Sequence, residues 1–222
     1  MILQPVLMRI AERELPRGPR RLEQQRRCAH EALRKCAELC AAPTDGWRQS
    51  EQRVPLPNGS FHWSISHKRL WVAAVVADRP AGIDIEHVAP RRTDLFDEVA
   101  TEDEWSLVGR RDWSTFFRIW TAKEATLKAN GLGIGYLAEC KVVQAVGPLR
   151  MTTSCAGRHW VIEHFEFDEH IAALACFDEK IRWHIVGDDG TVLVSAPVVP
   201  HSEQTGRQPV PGINENQIRV RE

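Results

Sequence analysis

The chain is predicted to be α+β, on three observations. From 22 to 41 the apolar positions Leu22, Ala29, Leu33, Cys36 and Cys40 recur at steps of three and four, the period of a helix with one buried face. A second amphipathic helix runs up to Lys128, with Phe116, Phe117, Ile119 and Leu127 as apolar anchors. After each helix come short apolar or alternating runs of strand type. Helix and strands followed by helix and strands is the order of an α+β protein with two similar halves.

The elements follow in order. Residues 1–9 are apolar enough for a strand. Residues 9–35 are basic, with nine Arg or Lys (Arg26 and Arg27 among them) against four Glu, and Pro16 and Pro19 break the chain there. The first helix ends before Pro43, which cannot continue it. Residues 44–60 carry turn signals, with Pro55, Pro57 and Asn58-Gly59. Strands are expected at 61–65 and 71–77, the second buried on both faces, with Ser66-His67-Lys68 at the turn between them. Asp78-Arg-Pro80 turns the chain into 82–86, which makes 71–77 and 82–86 a hairpin. A short helix is expected over 94–99. Thr101 and Glu104 have capping-box spacing for another, Asp112 caps the long helix, and Asn130-Gly131 stops it. The acids Asp94, Asp97, Glu98, Glu102, Asp103 and Glu104 read as a solvated helical face. Strands follow at 140–146, 159–167, 171–177, 181–186 and 191–195, with a hairpin turn at Asp188-Asp-Gly190. From 196 the chain is Pro-rich and polar, and poor order is expected to its end.

Composition narrows the function classes. The 222 residues are 43% hydrophobic and 27% charged, with a formal net charge of −1. That balance gives no global electrostatic case for nucleic acid or a membrane surface. No apolar run reaches the ~18–20 residues of a membrane helix. The first eight residues lack the basic lead-in and length of a signal peptide, so a cytoplasmic protein is expected. Cys28, Cys36, Cys40, Cys140, Cys155 and Cys176 form no C-x-x-C pair and no zinc spacing, which fits buried reduced thiols.

Two stretches carry chemistry. In Gly82-Ile-Asp-Ile-Glu86, strand alternation puts Asp84 and Glu86 on one face and Ile83 and Ile85 on the other. Paired carboxylates repel, and a hard divalent cation relieves that; magnesium is held by one or two carboxylates together with substrate phosphates. In Trp120-Thr-Ala-Lys-Glu-Ala-Thr-Leu-Lys128, Trp120, Glu124 and Lys128 share a helical stripe. Glu124 offers a third oxygen ligand, and Lys128 would face the phosphates.

These two stretches, in this order and preceded by Ser64-Ile-Ser66-His67, resemble the 4′-phosphopantetheinyl transferases of the surfactin-synthetase-activating type. The resemblance spans roughly residues 61–128. It implies two pseudo-symmetric α/β lobes, each a helix packed on a small antiparallel sheet, with the active site in the cleft between them. The lobes would cover 1–90 and 91–195, with 196–222 as tail. The implied activity moves 4′-phosphopantetheine from coenzyme A to a serine of an acyl or peptidyl carrier protein, releasing adenosine 3′,5′-bisphosphate. Magnesium would sit on Asp84, Glu86 and Glu124. Lys128 would meet the pyrophosphate, with Lys123 as a second phosphate contact. Glu124 would take the serine proton, directly or through a water. Ser66 and His67 would hold coenzyme A phosphates, and Arg26 or Arg27 its 3′-phosphate. Arg53 would lie on the adenosine side, in Arg53-Val-Pro55, which departs from the family's Gly-Lys/Arg-Pro. A cytoplasmic monomer with neither nucleic acid nor membrane as partner is expected. Two other readings are a non-catalytic coenzyme A or carrier-protein binding module of the same fold, and a metal-dependent phosphohydrolase.

Overall fold

Every residue from Trp71 to Ala77 is apolar and buried, so this strand has no face for water. It must be covered on both sides and paired on both edges. The computed structural model, which describes residues 2–16, 18 and 20–197, builds one sheet around it. In chain order, β1 (Ile2–Leu3), β2 (Val6–Arg9) and α1 (Arg20–Leu39) come first. Then follow β3 (His62–Lys68), β4 (Trp71–Ala77) and β5 (Gly82–His87). The short helices α2 (Leu95–Val99) and α3 (Glu102–Val108) precede α4 (Trp113–Asn130). β6 (Lys141–Val146), β7 (Arg150–Cys155), β8 (Arg158–Phe167), β9 (His170–Cys176), β10 (Lys180–Val186) and β11 (Val192–Pro197) follow.

Two sheets result. In the first, β4 lies between β2 and β3, antiparallel to both, and β2 runs parallel to β10, which also pairs with β1 and β11. The second has the order β5-β9-β8-β7-β6 and is antiparallel throughout. Alternation assigns the faces. Val72, Ala74 and Val76 of β4 pack with Ala29, Leu33 and Cys36 of α1. Trp71, Ala73 and Val75 pack with Ile83 and Ile85 of β5 and Leu174 of β9, between the sheets. The far face of the second sheet is covered by α4, through Phe116, Ile119, Ala122 and Ala125. The class is α+β, as expected.

Local signals hold at most of their positions. Thr101 and Glu104 form the capping box of α3, Asp112 accepts the Thr115 amide, and Gly131 closes α4 in the left-handed region at φ 68°. Among the described residues no disulfide forms, and Cys36, Cys140, Cys155 and Cys176 are buried. No helix there is long and apolar enough to cross a membrane. The tail expected to be poorly ordered lies, from 198 onward, outside the described residues.

Three expectations need correction. The stretch 82–87 is not in a hairpin with β4. Both edges of β4 are taken by β2 and β3, so β5 crosses to the second sheet and pairs with β9. With β10 returning to the first sheet, sheet membership does not divide at residue 90. Second, Ser66-His67-Lys68 is strand, paired with 71–73 of β4, and the turn is at Arg69-Leu70. Third, Glu104 is not solvated. It is 3% exposed and accepts the Thr101 and Val142 amides. Its neighbours are solvated acids, with Asp97 and Glu102 paired to Arg111, and Asp94 to Arg92. β7 is a strand beyond those expected. Its inward face is Met151, Thr153 and Cys155, and the Thr153 hydroxyl meets that of Thr126 on α4 at 2.6 Å.

At Gly82, β5 and α4 approach to backbone contact. A Cβ there would stand 2.0 Å from the Ala125 carbonyl oxygen and 2.6 Å from the Ala129 amide nitrogen. Both atoms are helix backbone, so no side chain can swing aside. Gly82→Ala is expected to cost roughly 3 kcal/mol or more, read as a lower urea midpoint by circular dichroism. A wild-type midpoint would refute the close approach.

Candidate active site

β3 ends one sheet and β5 ends the other, and the two strands are in contact. Side chains bridge them. The Ile83 amide donates to Ser64 Oγ at 3.2 Å, Ser66 Oγ donates to Asp84 Oδ1 at 2.8 Å, and Lys68 Nζ lies 2.7 Å from Glu86 Oε2. Ser64, Ser66 and Lys68 alternate along β3 and so present one side to β5. A polar seam therefore stands where continuous sheets would share a backbone ladder.

A pocket of about 400 Å³ opens over this seam, between α1 and α4. Asp84 and Glu86 come from β5, and Ile65, Ser66 and His67 from β3. Trp120, Glu124 and Lys128 line it from α4 as one stripe at four-residue steps. Arg26 and His30 face it from α1, and Gln49 and Arg53 from the loop between α1 and β3.

The pocket concentrates negative charge where water is scarce. Asp84 is 5% exposed, and its Oδ1 takes both the Ser66 hydroxyl and Lys128 Nζ, the latter at 2.7 Å. Lys128 also donates to the Ile83 carbonyl at 3.1 Å. Burial, with the charge of Asp84, pushes the Glu86 carboxyl up, against the pull of Lys68. Glu124 is pushed up to about 7, by burial first and then by Asp84, with Lys128 opposing and Glu86 adding. Burial, then Lys128 and Arg26, holds His67 below the usual histidine range.

The donor set suits a hard cation. Asp84 Oδ2 is buried with no hydrogen-bond partner, and buried Glu86 Oε2 has the Lys68 ammonium beside it at 2.7 Å. Asp84, Glu86 and Glu124 offer only carboxylate oxygens, as magnesium prefers. Among the described residues, however, no three His, Cys, Asp or Glu side chains stand in an ion-holding arrangement. Lys128 and Lys68 each supply the counter-charge to one carboxylate instead.

Arg26, Arg53, Ser66, His67, Asp84, Glu86, Glu124 and Lys128 thus share the pocket. Lys123 and Arg27 do not. Lys123 follows the helix about 100° away from Glu124, which turns it inward. It is 1% exposed, with Nζ 2.7 Å from Glu104 Oε1. Burial pushes the Glu104 carboxyl up, but Lys123 and the two amides more than offset that, and the net shift is downward. Arg27 points away from Arg26, bonds Gln24, and lines a separate groove with Met8 and Gly187. His30 and Gln49 are pocket residues that the sequence reading lacks. His30 was readable, four residues after Arg26 on the same stripe. Gln49 lies in an irregular loop that has no period to reveal it.

Two outcomes test this geometry. Lys123→Ala removes the ammonium from a buried carboxylate and is expected to cost roughly 3–5 kcal/mol by urea denaturation; near-wild-type stability would take Lys123 out of the core. Glu124 yields a pH signature in chelator. Its folded pKa lies above the unfolded value, so the folded state keeps a proton that the unfolded chain releases. No penalty exists below about pH 4.5, and it grows as pH rises to about 7. Glu124→Gln should therefore raise the melting temperature at pH 8.5 and leave it nearly unchanged at pH 4.5. A gain confined to the acid side would reverse the assignment.

Comparison with known proteins places these elements. Residues 80–175, from the start of β5 into β9, match the model of the 4′-phosphopantetheinyl transferase superfamily. The chain is 38% identical over 81 residues to the 4′-phosphopantetheinyl transferase psf-1 of Bacillus pumilus, covering 35% of each chain. It is 32% identical over 92 residues to the 4′-phosphopantetheinyl transferase gsp of Aneurinibacillus migulanus, covering 40% of this chain and 39% of the relative. With the 4′-phosphopantetheinyl transferase Sfp of Bacillus subtilis strain 168 it shares 32% over 77 residues, 33% of this chain and 34% of that one. The matches span between a third and two-fifths of the length of these relatives. By this segment, which contains β5 and α4 entire, the chain is similar to the 4′-phosphopantetheinyl transferase superfamily, and its relatives in this stretch are transferases of that name.

Proposed function

We propose that this chain transfers the 4′-phosphopantetheine group of coenzyme A to a serine hydroxyl of an acyl or peptidyl carrier protein, releasing adenosine 3′,5′-bisphosphate. One observation carries the reading: Glu124 and Lys128 of α4 stand over Asp84 and Glu86 of β5 in a pocket whose other wall holds Arg26 and His67. In this reading α1 with the first sheet and α4 with the second are the two pseudo-symmetric lobes, and the pocket between the helices is the active site. A monomer in the cytoplasm, with neither nucleic acid nor membrane as partner, completes it.

Charge assigns the roles. Lys128, Ser66 and His67 hold the pyrophosphate of coenzyme A, and Lys128 exchanges its contact with Asp84 for one with phosphate oxygen. Arg26, with His30 one turn on, takes the 3′-phosphate, and Arg53 lies on the adenosine side. Glu124 accepts the serine proton, directly or through a water, from a position where its carboxyl titrates at about 7. The serine oxygen bonds to the phosphorus that bears pantetheine. The bond from that phosphorus to the bridging oxygen breaks, and its electron pair leaves with the adenosine bisphosphate. Magnesium held by Asp84, Glu86 and Glu124 would offset the charge that the pyrophosphate brings and that grows on the leaving oxygen.

The test is mass spectrometry of apo carrier proteins incubated with this protein, coenzyme A and magnesium. A pantetheine adduct on the carrier serine is expected. Glu124→Gln should lower transfer by about 10²-fold or more, and Lys128→Ala should raise the coenzyme A requirement and slow turnover. Coenzyme A binding without adduct would leave a binding module, and phosphate release without carrier would indicate a phosphohydrolase.

A further inference from the structure

α4 carries a second buried cation besides Lys123, in its N-terminal half, on a different side from the pocket stripe. Arg118 is 8% exposed, yet among the described residues it forms no ion pair. Its one hydrogen bond runs from Nη2 to the Gly147 carbonyl at 3.0 Å, in the turn between β6 and β7. Nε is buried with no partner. The acid whose charge reaches it is Glu166, exposed on β8. Asp112, at the head of the same helix, is engaged with the Thr115 amide. On the backbone side, the Arg118 carbonyl faces Nε2 of buried His164 at 3.0 Å.

A guanidinium has five N–H donors in a planar fork, and a buried one without acceptors is costly. Arg118 lines a pocket of about 400 Å³ formed by the end of α3, the first turns of α4 and the β6–β7 turn. That volume is within the range of small-molecule sites. Arg110 stands on its rim, and Thr115, itself 8% exposed, lines it beside Arg118. Leu107, Val108 and Pro148 make the rest of the wall apolar. The positive end of the α4 dipole lies within one to two turns.

We propose that this pocket binds a small oxyanion, a carboxylate or a phosphate carrying a short apolar group, with Arg118 as its anchor and Arg110 as a second cation. The fork of Arg118 matches two oxygens of either group, and the apolar wall takes the body. No residue of the pocket over the β3–β5 seam takes part, so this site stands or falls independently of the transferase reading.

The test follows the arginine Nε–H resonances of the full chain by NMR during titration with inorganic phosphate, butyl phosphate and butyrate, at ionic strength matched with chloride. A saturable shift of the Arg118 Nε–H is expected, tighter for a butyl-bearing probe than for inorganic phosphate. Saturation with butyl phosphate alone identifies a phosphate ester, and with butyrate alone a carboxylate. Arg118→Lys keeps the charge and removes the fork, and should weaken binding roughly tenfold, read at the Gly109 and Gly147 amides. Should that variant not fold, Arg110→Ala on the rim should still weaken binding several-fold. Shifts that do not saturate at tens of millimolar, equal shifts in chloride, or unchanged affinity in the variants would overturn the proposal.

Discussion

One carboxylate joins the two sheets. Asp84 is nearly excluded from water, and its Oδ1 collects a hydroxyl from β3 and an ammonium from α4. An unpaired carboxylate there would be far too costly to keep charged. The residue therefore dictates what surrounds it: Ser66 must sit on the facing strand, and Lys128 one turn beyond Glu124. Burial raises Glu86 and Glu124, and the same charge reaches both and raises them further. The interaction that closes the seam is thus also the one that loads the pocket electrostatically. Had β3 and β5 paired by backbone, their side chains would have pointed away from the shared edge, and no carboxylate would have been held there.

The helix above the seam works because its residues divide by angle. Ala122, Ala125 and Ala129 leave room for Gly82 to approach to backbone contact, which brings β5 within reach of Lys128. Thr126 turns its hydroxyl to the Ala122 carbonyl and to Thr153 of β7, anchoring the side that faces the second sheet. Lys123 ties the same helix to α3 and β6 through Glu104, which meets both the Thr101 and Val142 amides. With three separate attachments, the stripe of Trp120, Glu124 and Lys128 has little freedom to rotate away from the pocket.

What could be read from the sequence was whatever is local. Alternation in 82–86 assigned Asp84 and Glu86 to one side, and four-residue steps put Glu124 with Lys128. Caps at Thr101, Asp112 and Gly131 depend on contacts within a few residues, and they stand where the letters put them. The strand partner of 82–87 was not legible, because β9 lies far along the chain and nothing near Gly82 reveals that both edges of β4 are occupied. Ser66 read as turn because Ser, His and Lys are poor strand formers. Its strand state comes from pairing with β4 and from a polar seam to face. Lys123 was misplaced because adjacency to Glu124 in sequence says nothing of direction, whereas a hundred degrees of helix does. Sequence placed Glu104 among solvated acids, and only the approach of β6 and Lys123 takes it out of water.

Lys123 and Arg118 make a comparison within one helix. Both are cations with less than a tenth of their surface exposed, and both carry apolar stems that α4 packs inward. Lys123 is matched by a carboxylate that the Thr101 and Val142 amides hold in place, so its burial is complete and closed. Arg118 is given a carbonyl, an unpartnered Nε and an open volume. A purely structural cation needs its acceptors inside the fold, as Lys123 has them. A site for an external anion needs the reverse: a donor held rigid by burial, with acceptors withheld and space beside it. Along α4 one electrostatic rule thus holds, a cation held for an acceptor, with Lys128 covering Asp84 and Arg118 left facing the cavity beside the β6–β7 turn.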